Sequence, residues 1–320
     1  MVMKPKILIV GAGQLGTRYL QGLSSVSIPL DIFVTDISKD SLRNADKIWN
    51  EGVGKNYGHT AIFSENLSNI PSSIDIAVIS TTADSRSGVI TNLVEHKIIK
   101  YWVLEKILAQ NSQELDEIMD ATKHCKGAWV NTSRRMMKWH RQIKSHLSGT
   151  NSLSLSVEGG AWGLACNGIH FLDLLSFWSD EKLQSINHVD LDSQWFLSKR
   201  LPFMEINGGY TAQFSRGSVA SLICHSVKSP VVIKLLDGNN QWIIDEVSGT
   251  AIRSDGIILS GKVEFQSEMT SRLIESILTK GECDLPNIIE SSSMHKIVLE
   301  TLLTDFNEKN GNNSLRLPIT

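Results

Sequence analysis

Residues 7 to 16 read Ile7-Leu8-Ile9-Val10-Gly11-Ala12-Gly13-Gln14-Leu15-Gly16, an apolar strand that runs directly into three spaced glycines. A helix-forming stretch follows, and a second apolar run, Ile32-Phe33-Val34, ends at Asp36. Glycine patterns alone are weak signals, because turns collect glycine for many reasons. Here a strand, a helix, a second strand and a terminal acid follow in register, and this order is typical of a dinucleotide-binding fingerprint.

The glycines of this stretch have separate physical roles. Gly11 permits a tight bend, Gly13 lets a pyrophosphate approach the backbone, and Gly16 lets the helix lie close against the strand. Gln14 and Leu15 begin that helix, whose free N–H groups would point at the phosphates. The stretch from Gly11 to Gly16 is therefore predicted to hold the pyrophosphate of a dinucleotide.

Asp36 narrows the choice of cofactor. It follows Gly16 by about 20 residues, where a carboxylate accepts the ribose hydroxyls of an adenosine. The same charge would repel the 2′-phosphate of NADP. Lys39 is a nearby cation, but its simplest interpretation is a solvated lysine in the next helix. NAD is the predicted cofactor, and NADP is less favoured.

Strand-like and helix-like segments alternate through the first part of the chain. Strands are predicted at 74–79, 101–104 and 128–131, with helices ending near 94 and covering 113–123. Repeated βα units of this length indicate a doubly wound parallel sheet with helices on both faces. Residues 1–130 are therefore predicted to form an α/β Rossmann domain that binds the dinucleotide.

The pattern changes after a predicted helix at 133–146. Residues 153–157 alternate strictly between apolar and polar side chains, which is typical of a strand with one covered and one open face. Further strand-like runs cover 209–214, 219–225, 231–236, 241–245 and 251–253, and Asp237-Gly238-Asn239-Asn240 predicts a hairpin turn. These segments indicate a large, mostly antiparallel open sheet.

Three helices complete this second part. One is predicted over 167–178, and two near 267–279 and 288–307 close the chain. We assign residues 131–320 to an α+β domain for substrate binding and oligomerisation, with the C-terminal helix as a candidate to pack back on the first domain. Because an open sheet face invites a partner, a homodimer or homotetramer through that face is expected.

Composition restricts the class of protein. A formal charge of −3 over 320 residues argues against nucleic acid or an anionic membrane surface as partner. The four cysteines are far apart and form no CxxC pair, as expected for thiols in a reducing compartment. The first strand begins too early for a signal peptide, and no apolar run reaches membrane-spanning length. The expected location is the cytoplasm.

Several polar residues follow predicted parallel strands. Ligands of such sheets bind at the carboxyl ends of the strands, which places Ser80-Thr81-Thr82, Glu105 and Asn131 on the rim with the fingerprint. Lys106 follows Glu105 and would project toward the nicotinamide. Alternatively, the Ser80-Thr81-Thr82 turn is only solvated and Glu105-Lys106 is a surface ion pair at a strand end.

A second group of polar side chains lies on the helix predicted at 167–178. The spacing of Cys166, Asn167, His170 and Asp173 places them on one helical face. A histidine beside a carboxylate is a plausible proton acceptor, with Asp173 orienting the ring of His170. The alternative is a buried His–Asp pair that joins helix to sheet. No metal site is predicted, because no third ligand is close in sequence.

Taken in order, these motifs resemble the glucose-fructose oxidoreductase and inositol dehydrogenase family (Gfo/Idh/MocA) over nearly the whole chain. The matching segments are residues 11–16, 80–82, 105–106, 131–135 and 168–173, with the Asp36 strand end and the helix after Asp284-Leu285-Pro286. The resemblance implies NAD(P)-dependent oxidation or reduction of a sugar, cyclitol or related polyol. It assigns Lys106 and His170 to proton handling, and Arg134 or Arg135 to the cleft between domains.

The chain departs from the family pattern at three positions. Ile107 stands where a proline commonly follows the lysine, and a proline would make a cis bond accessible more cheaply. Cys166 stands where many members have an aspartate, and Asn167 could replace its hydrogen bonding but not its charge. Arg86 stands where a histidine is common. These positions affect the expected substrate and catalytic detail, and leave the fold prediction unchanged.

The predicted reaction is hydride transfer between NAD and a secondary alcohol or ketone of a sugar, nucleotide sugar or cyclitol. His170 is the candidate base and Lys106 would bind the same oxygen, but the sequence does not separate these roles. Trp162 is either a wall for a sugar ring or part of the sheet packing. Arg134 and Arg135, with Asn167, are further candidates for substrate contacts, or, for the arginines, solvated surface charges.

Two other functions fit the same fold. The first is a bond-cleaving enzyme that uses NAD in an internal redox cycle and releases no NADH. The second is a cofactor-binding sensor or accessory protein with little turnover, which the departures at Ile107 and Cys166 support. Retention of both Lys106 and His170 favours an enzyme, because binding alone requires neither.

Overall fold

The computed structural model describes residues 3–52, 57–149 and 151–320, which divide into two compact units. Unit 1 combines the described residues within 1–108, 114–131 and 264–288. Unit 2 combines those within 109–113, 132–263 and 289–320.

Unit 1 is built on a parallel sheet. Its strands in the described part of the chain are β1 (Lys6–Val10), β2 (Asp31–Thr35), β3 (Thr60–Ser64), β4 (Ser73–Ile79), β5 (Ile98–Leu104) and β6 (Gly127–Val130). They are all parallel, in the order β3-β2-β1-β4-β5-β6. Ile7, Leu8 and Ile9 in β1 are fully buried, as expected for a strand covered on both faces. The predicted doubly wound sheet is confirmed.

Helices connect these strands. They are α1 (Gln14–Leu23), α2 (Lys39–Gly52), α3 (Ala83–His96) and α4 (Ser112–Thr122), with a 3-10 turn at Leu67–Asn69. The edge strand β3 was missing from the sequence prediction. Its residues are mostly exposed or half-buried, so it lacks the continuous apolar run of a central strand.

Unit 2 contains a larger sheet and a short ribbon. Its strands among the described residues are β7 (Leu153–Gly160), β8 (Leu183–Leu191), β9 (Phe196–Leu197), β10 (Met204–Glu205), β11 (Gly208–Phe214), β12 (Val219–His225), β13 (Ser229–Asp237), β14 (Asn240–Asp245), β15 (Thr250–Arg253) and β16 (Ile258–Ser260). The sheet order is β16-β15-β14-β13-β7-β12-β11-β8, while β9 and β10 pair separately. All neighbours in the sheet are antiparallel except β7 and β12. The predicted large, mostly antiparallel sheet is confirmed.

Two helices of unit 2 bear on the candidate site. They are α5 (Lys138–Ser145) and α6 (Leu164–Ser179). The helix predicted at 133–146 is interrupted: a 3-10 turn covers Ser133–Met136, and Met137 is extended before α5 begins. Helix α6 crosses the sheet face that contains the buried side chains Leu155 and Leu222.

The last two helices belong to different units. Helix α7 (Gln266–Lys280) packs on α1 in unit 1, and α8 (Ile288–Asn310) belongs almost entirely to unit 2. The sequence predicted an end for α8 near residue 307, but the helix continues to Asn310. Gly311 then adopts a positive φ of 59°, a usual helix ending. In the described segments, no helix combines the length and apolar character needed to cross a membrane.

Candidate functional site

The fingerprint forms an open cradle at the carboxyl end of β1. Gly11 has a φ of 97°, a conformation that favours glycine. A Cβ atom on Gly16 would lie 1.8 Å from the Gly11 carbonyl oxygen, so only glycine fits there. A Cβ atom on Gly13 would meet nothing within 4 Å, and no side chain caps α1, which starts at Gln14. Gln14 is exposed and Leu15 half-buried. The first N–H groups of α1 therefore suit an anionic group such as a pyrophosphate.

Asp36 lies directly after β2, beside this cradle. Its Oδ2 accepts the Ala12 N–H at 2.6 Å, and its Oδ1 accepts the Ser38 N–H at 2.7 Å. Lys39, the nearby cation, lies 3.7 Å from Glu65. The Asp36 carboxylate is thus fixed by backbone donors at the edge of the glycine turn, and Lys39 has an acidic partner of its own.

A cavity of about 440 Å³ opens at this edge of unit 1. Its lining includes Gly11, Asp36, Thr81 and Val89. The hydroxyl oxygen of Thr81 is buried and has no hydrogen-bond partner among the described residues. A cavity with an anchored carboxylate, an unsatisfied hydroxyl and apolar walls fits the adenosine part of a dinucleotide.

The turn after β4 is joined to the fingerprint. The Ser80 hydroxyl lies 3.0 Å from the Val10 carbonyl oxygen and 2.8 Å from that of Gly11. Thr82 precedes α3 with an extended backbone and makes no side-chain cap. Of the three predicted residues, Ser80 supports the glycine turn, while Thr81 and Thr82 are half-buried at the rim.

Glu105 ends β5 in a buried position. It is 3% exposed, and its Oε1 accepts hydrogen bonds from the Tyr19 hydroxyl at 2.5 Å and from Asn131 at 2.6 Å. Burial raises the pKa of this carboxyl, although its two hydrogen bonds act in the opposite direction. Glu105 therefore anchors the strand end from inside the protein, and its contact with a cofactor stays a prediction.

Lys106 is half-buried at the same strand end. The peptide bond between Lys106 and Ile107 is cis, the geometry that Ile107 was expected to make less accessible than proline. After Lys106 along the chain, the carbonyl oxygens of Ile107 and Leu108 accept hydrogen bonds from the Arg86 guanidinium. Both chain neighbours of Lys106 are thus held by buried groups.

In unit 2, the predicted polar group lies at the beginning of α6. Cys166, Asn167 and His170 are half-buried, and Asp173 is buried. The Asn167 amide donates to the Trp162 carbonyl at 2.7 Å. Asn167 thus fixes the turn that precedes the helix. Asp173 was predicted to orient the ring of His170, but both of its carboxylate oxygens accept hydrogen bonds from Arg135.

Trp162 is held from two sides. Its indole N–H donates to the Ile223 carbonyl at 3.0 Å, and its ring meets Phe171 edge-on with centroids 5.5 Å apart. The ring is half-buried, so part of its surface remains accessible. This placement is compatible with both interpretations of Trp162, as a ring platform and as sheet packing.

The two candidate arginines form ion pairs within unit 2. Arg135 binds both carboxylate oxygens of Asp173, at 2.9 and 2.6 Å, and Arg134 binds both of Glu246 at 2.9 Å. Burial raises the pKa of Asp173 despite the guanidinium beside it. In Glu246, burial is outweighed by Arg134 and His140, which hold its pKa well below the ordinary value. Substrate contacts by Arg134 or Arg135 would therefore compete with carboxylates of the chain itself.

Two residues of these surroundings were not found by sequence reasoning. Glu205, in β10, accepts the N–H groups of Ala165 at 2.6 Å and Cys166 at 3.3 Å, so a buried carboxylate caps α6. Arg86, in unit 1, was noted as a departure from the family pattern and as a cation that could contact an acidic substrate, but its contacts with the main chain were not predicted. No local sequence pattern predicts the contacts of Glu205 or of Arg86, because each joins segments that are distant along the chain.

No family model and no curated protein sequence matches this chain. Solved structures do match it along nearly its full length. UDP-N-acetylglucosamine 3-dehydrogenase GnnA from Acidithiobacillus ferrooxidans has a TM-score of 0.70 at 13% identity, covering 99% of this chain and 98% of its own. Myo-inositol dehydrogenase from Lactobacillus casei, in complex with NAD(H) and myo-inositol, has a TM-score of 0.67 at 15% identity, with 96% of each chain covered.

A regulator has the same degree of likeness. The transcriptional regulator Gal80p from Kluyveromyces lactis has a TM-score of 0.71 at 16% identity, covering 96% of this chain and 90% of its own. Identities this low establish the fold alone. The chain has the two-domain fold of the Gfo/Idh/MocA proteins, a Rossmann unit and a unit with a large open sheet, as the resemblance of its motifs implied.

Proposed function

We propose that this chain is an NAD-dependent oxidoreductase that transfers hydride between the nicotinamide and a secondary alcohol or ketone of a sugar, nucleotide sugar or cyclitol. The observation that carries this proposal is the fixed Asp36 carboxylate at the cavity beside an uncapped helix N-terminus. An acid at that place favours ribose hydroxyls over a ribose phosphate.

The described residues of unit 1 fit such a cofactor. Gly13 and the first N–H groups of α1 would hold the pyrophosphate, Asp36 the ribose hydroxyls, and the Thr81 hydroxyl another polar atom of the cofactor. When bound, the nicotinamide supplies the hydride acceptor or donor. The remaining chemistry belongs to side chains, because an alcohol must lose its hydroxyl proton as the hydride leaves.

Lys106 and His170 are the proposed proton-handling residues. Lys106 follows an anchored glutamate at a strand end on the rim of unit 1. His170 is half-buried near the start of α6, where Glu205 accepts a hydrogen bond from the Ala165 N–H group. Histidine ordinarily titrates near pH 6.5, roughly where a general base is most useful. Either side chain can accept the proton, and the other would then stabilise charge on the substrate oxygen.

The proposed substrate class has two supports. Two proteins of this fold are named for a nucleotide sugar and a cyclitol. Trp162 has an accessible aromatic ring held in place, which suits packing against a sugar ring. Arg134 and Arg135 already bind Glu246 and Asp173, and these ion pairs favour a structural role for both arginines. Asn167 and Trp162 are therefore the stronger candidates for substrate contacts.

A second candidate is a cofactor-binding protein without turnover. The likeness to the transcriptional regulator Gal80p, as strong as that to the dehydrogenases, favours it. Such a protein would need the cavity with Asp36 and would make no use of Lys106 or His170. The two functions therefore differ in turnover and not in cofactor binding.

The experiment that tests the proposal begins with mass analysis of the purified protein, followed by titration with NAD and NADP. A panel of sugars, nucleotide sugars and inositols is then screened for NADH formation, and the corresponding ketones for NADH loss. Tight NAD binding with turnover of one substrate class supports the oxidoreductase. NAD binding without turnover across the panel supports the second candidate, and absence of binding contradicts both.

A further inference from the structure

Arg86 is a buried cation beside the rim of unit 1. It lies in the first turns of α3 and is only 1% exposed. A guanidinium remains charged in proteins, and its burial is costly unless its N–H groups are bonded and its charge is opposed. The contacts of Arg86 therefore need a structural explanation.

The guanidinium joins two separate segments of the rim. It donates to the Thr81 carbonyl in the turn after β4, and to the carbonyls of Ile107 and Leu108 after β5, the last at 3.1 Å. All three acceptors are main-chain oxygens. The contact consequently fixes the path of the backbone, whatever the side chains of those residues do.

The same segment is held from its other end by Glu105. That carboxylate is bonded to Tyr19 and Asn131, and the nearby charge of Arg86 acts to lower its pKa against the larger effect of burial. Lys106 thus lies between one residue anchored by its side chain and another anchored by its carbonyl oxygen. A displacement of either anchor would move the Lys106 backbone.

We propose that Arg86 is a positioning residue that sets the backbone of residues 105–108, and with it the direction of the Lys106 side chain, and that couples this segment to the Thr81 turn at the cofactor cavity. The proposal rests on the proposed function of Lys106 and of the cavity. Arginine suits the task because its planar fork reaches divergent acceptors, whereas lysine offers a single nitrogen.

The test compares Arg86→Lys and Arg86→Gln with the wild-type protein. Ser87→Ala is the matched control, because Ser87 is the next residue of α3 and its hydroxyl bonds Glu117 at 2.6 Å, away from the rim segments. Lysine amines are labelled by reductive methylation with isotope-labelled methyl groups, and NMR spectra are recorded with and without NAD. The signal absent from Lys106→Met identifies Lys106.

We expect both Arg86 variants to move the Lys106 signal and to change its titration midpoint. The response of that signal to NAD should be lost, and the Kd for NAD should rise by about fivefold or more if the two segments are coupled. Ser87→Ala should keep the wild-type signal and Kd. Arg86→Lys retains the buried charge, so it is expected to fold even if Arg86→Gln does not.

A wild-type Lys106 signal, with a wild-type NAD response, in a folded Arg86 variant would overturn the proposal. A shift equal to that of Ser87→Ala would also overturn it, because loosening of α3 alone would then explain the effect. The readout reports the surroundings of Lys106 and not turnover. Full turnover by Lys106→Met would instead contradict the proposed role of Lys106 in catalysis. It would not affect the conclusion that Arg86 positions Lys106, because that conclusion depends on the NMR signal alone.

Discussion

Asp36 decides between the two dinucleotides more directly than any other residue that lines the cavity. Asp36→Ala removes the ribose acceptor, so NAD affinity should fall by roughly 10-fold or more, as for loss of a hydrogen bond to a charged group. NADP affinity should not fall with it and should rise, because the substitution removes the repulsion between the carboxylate and the 2′-phosphate. Calorimetric titration with both cofactors measures this difference. Asp31→Ala, at the opposite end of β2, controls for loss of a negative charge. Equal losses for NAD and NADP would contradict the assignment.

Lys106 and His170 are the residues on which turnover should depend. Lys106→Met and His170→Ala are each expected to lower the chemical step by about 10²-fold, because each removes a group that handles the substrate proton or its charge. Single-turnover rates of NADH formation measure that step. Lys123→Met and His225→Ala remove exposed side chains that contact Asp120 and Glu158, and they serve as controls. Wild-type rates in both site variants would show that other residues carry the reaction.

Local and distant contacts explain which residues of the candidate site the sequence could predict. The glycines and Asp36 lie close together along the chain, so strand–turn–helix geometry alone places them at one rim. Arg135 and Asp173 were both singled out, but their mutual ion pair joins a 3-10 turn to the middle of α6. Such a pairing depends on tertiary packing, and the spacing of residues along the sequence does not predict it.

Helix α1 and helix α7 meet at Gly22, and this contact offers a test at the scale of whole elements. A Cβ atom on Gly22 would lie 2.5 Å from the Thr270 Cβ and 2.6 Å from the Ser267 carbonyl oxygen. Gly22→Ala should therefore push the helices apart and lower the free energy of unfolding by about 1–3 kcal/mol. Urea denaturation measures the change.

Gly88→Ala is the matched control for this helix contact. Gly88 lies inside α3, and a Cβ atom there would meet nothing within 4 Å. The substitution should raise the free energy of unfolding by about 0.5–1 kcal/mol, because alanine favours a helix interior over glycine. If Gly22→Ala were as stable as Gly88→Ala, the result would contradict a close contact between α1 and α7 at Gly22.

The predictability of an element follows from how much of it is buried. Strands β1 and β4 are central and mostly apolar, and the side chains of β13 alternate between buried and exposed, so the sequence was enough to predict these three strands. Edge strand β8 is mostly exposed, and its sequence shows neither pattern. The parallel pairing of β7 with β12 inside an antiparallel sheet joins distant segments, and no local periodicity specifies such a pairing.

The stability of the whole molecule should depend on pH through His140, which is completely buried in unit 2. Its Nε2 lies 3.1 Å from Glu246, and its Nδ1 has no hydrogen-bond partner in the described segments. A protonated ring would bury a second N–H without an acceptor. Burial accordingly lowers the pKa of His140, although Glu246 opposes this effect.

The direction of the pH effect follows from this lowered pKa. In the unfolded chain the pKa of a histidine is about 6.5. Above that pH His140 is neutral in both the folded and the unfolded state, so its titration does not change the free energy of unfolding. Below about 6.5 only the unfolded chain takes up the proton readily, and the free energy of unfolding should fall by up to about 1.4 kcal/mol per pH unit. The depressed pKa of Glu246 places its own contribution at a more acidic pH.

Urea denaturation between neutral pH and mildly acidic pH measures this dependence. Trp139 and Trp178 have ring centroids 5.4 and 5.6 Å from that of His140, so tryptophan fluorescence reports its surroundings. His140→Gln retains a donor toward Glu246 but cannot titrate, and its free energy of unfolding should fall less steeply as the pH is lowered. His59, whose pKa is also lowered by burial, contributes a background of the same sign in both proteins. An identical slope in the variant and in the wild type would show that His140 takes up its proton over the same pH range in the folded and unfolded states, and would contradict this prediction.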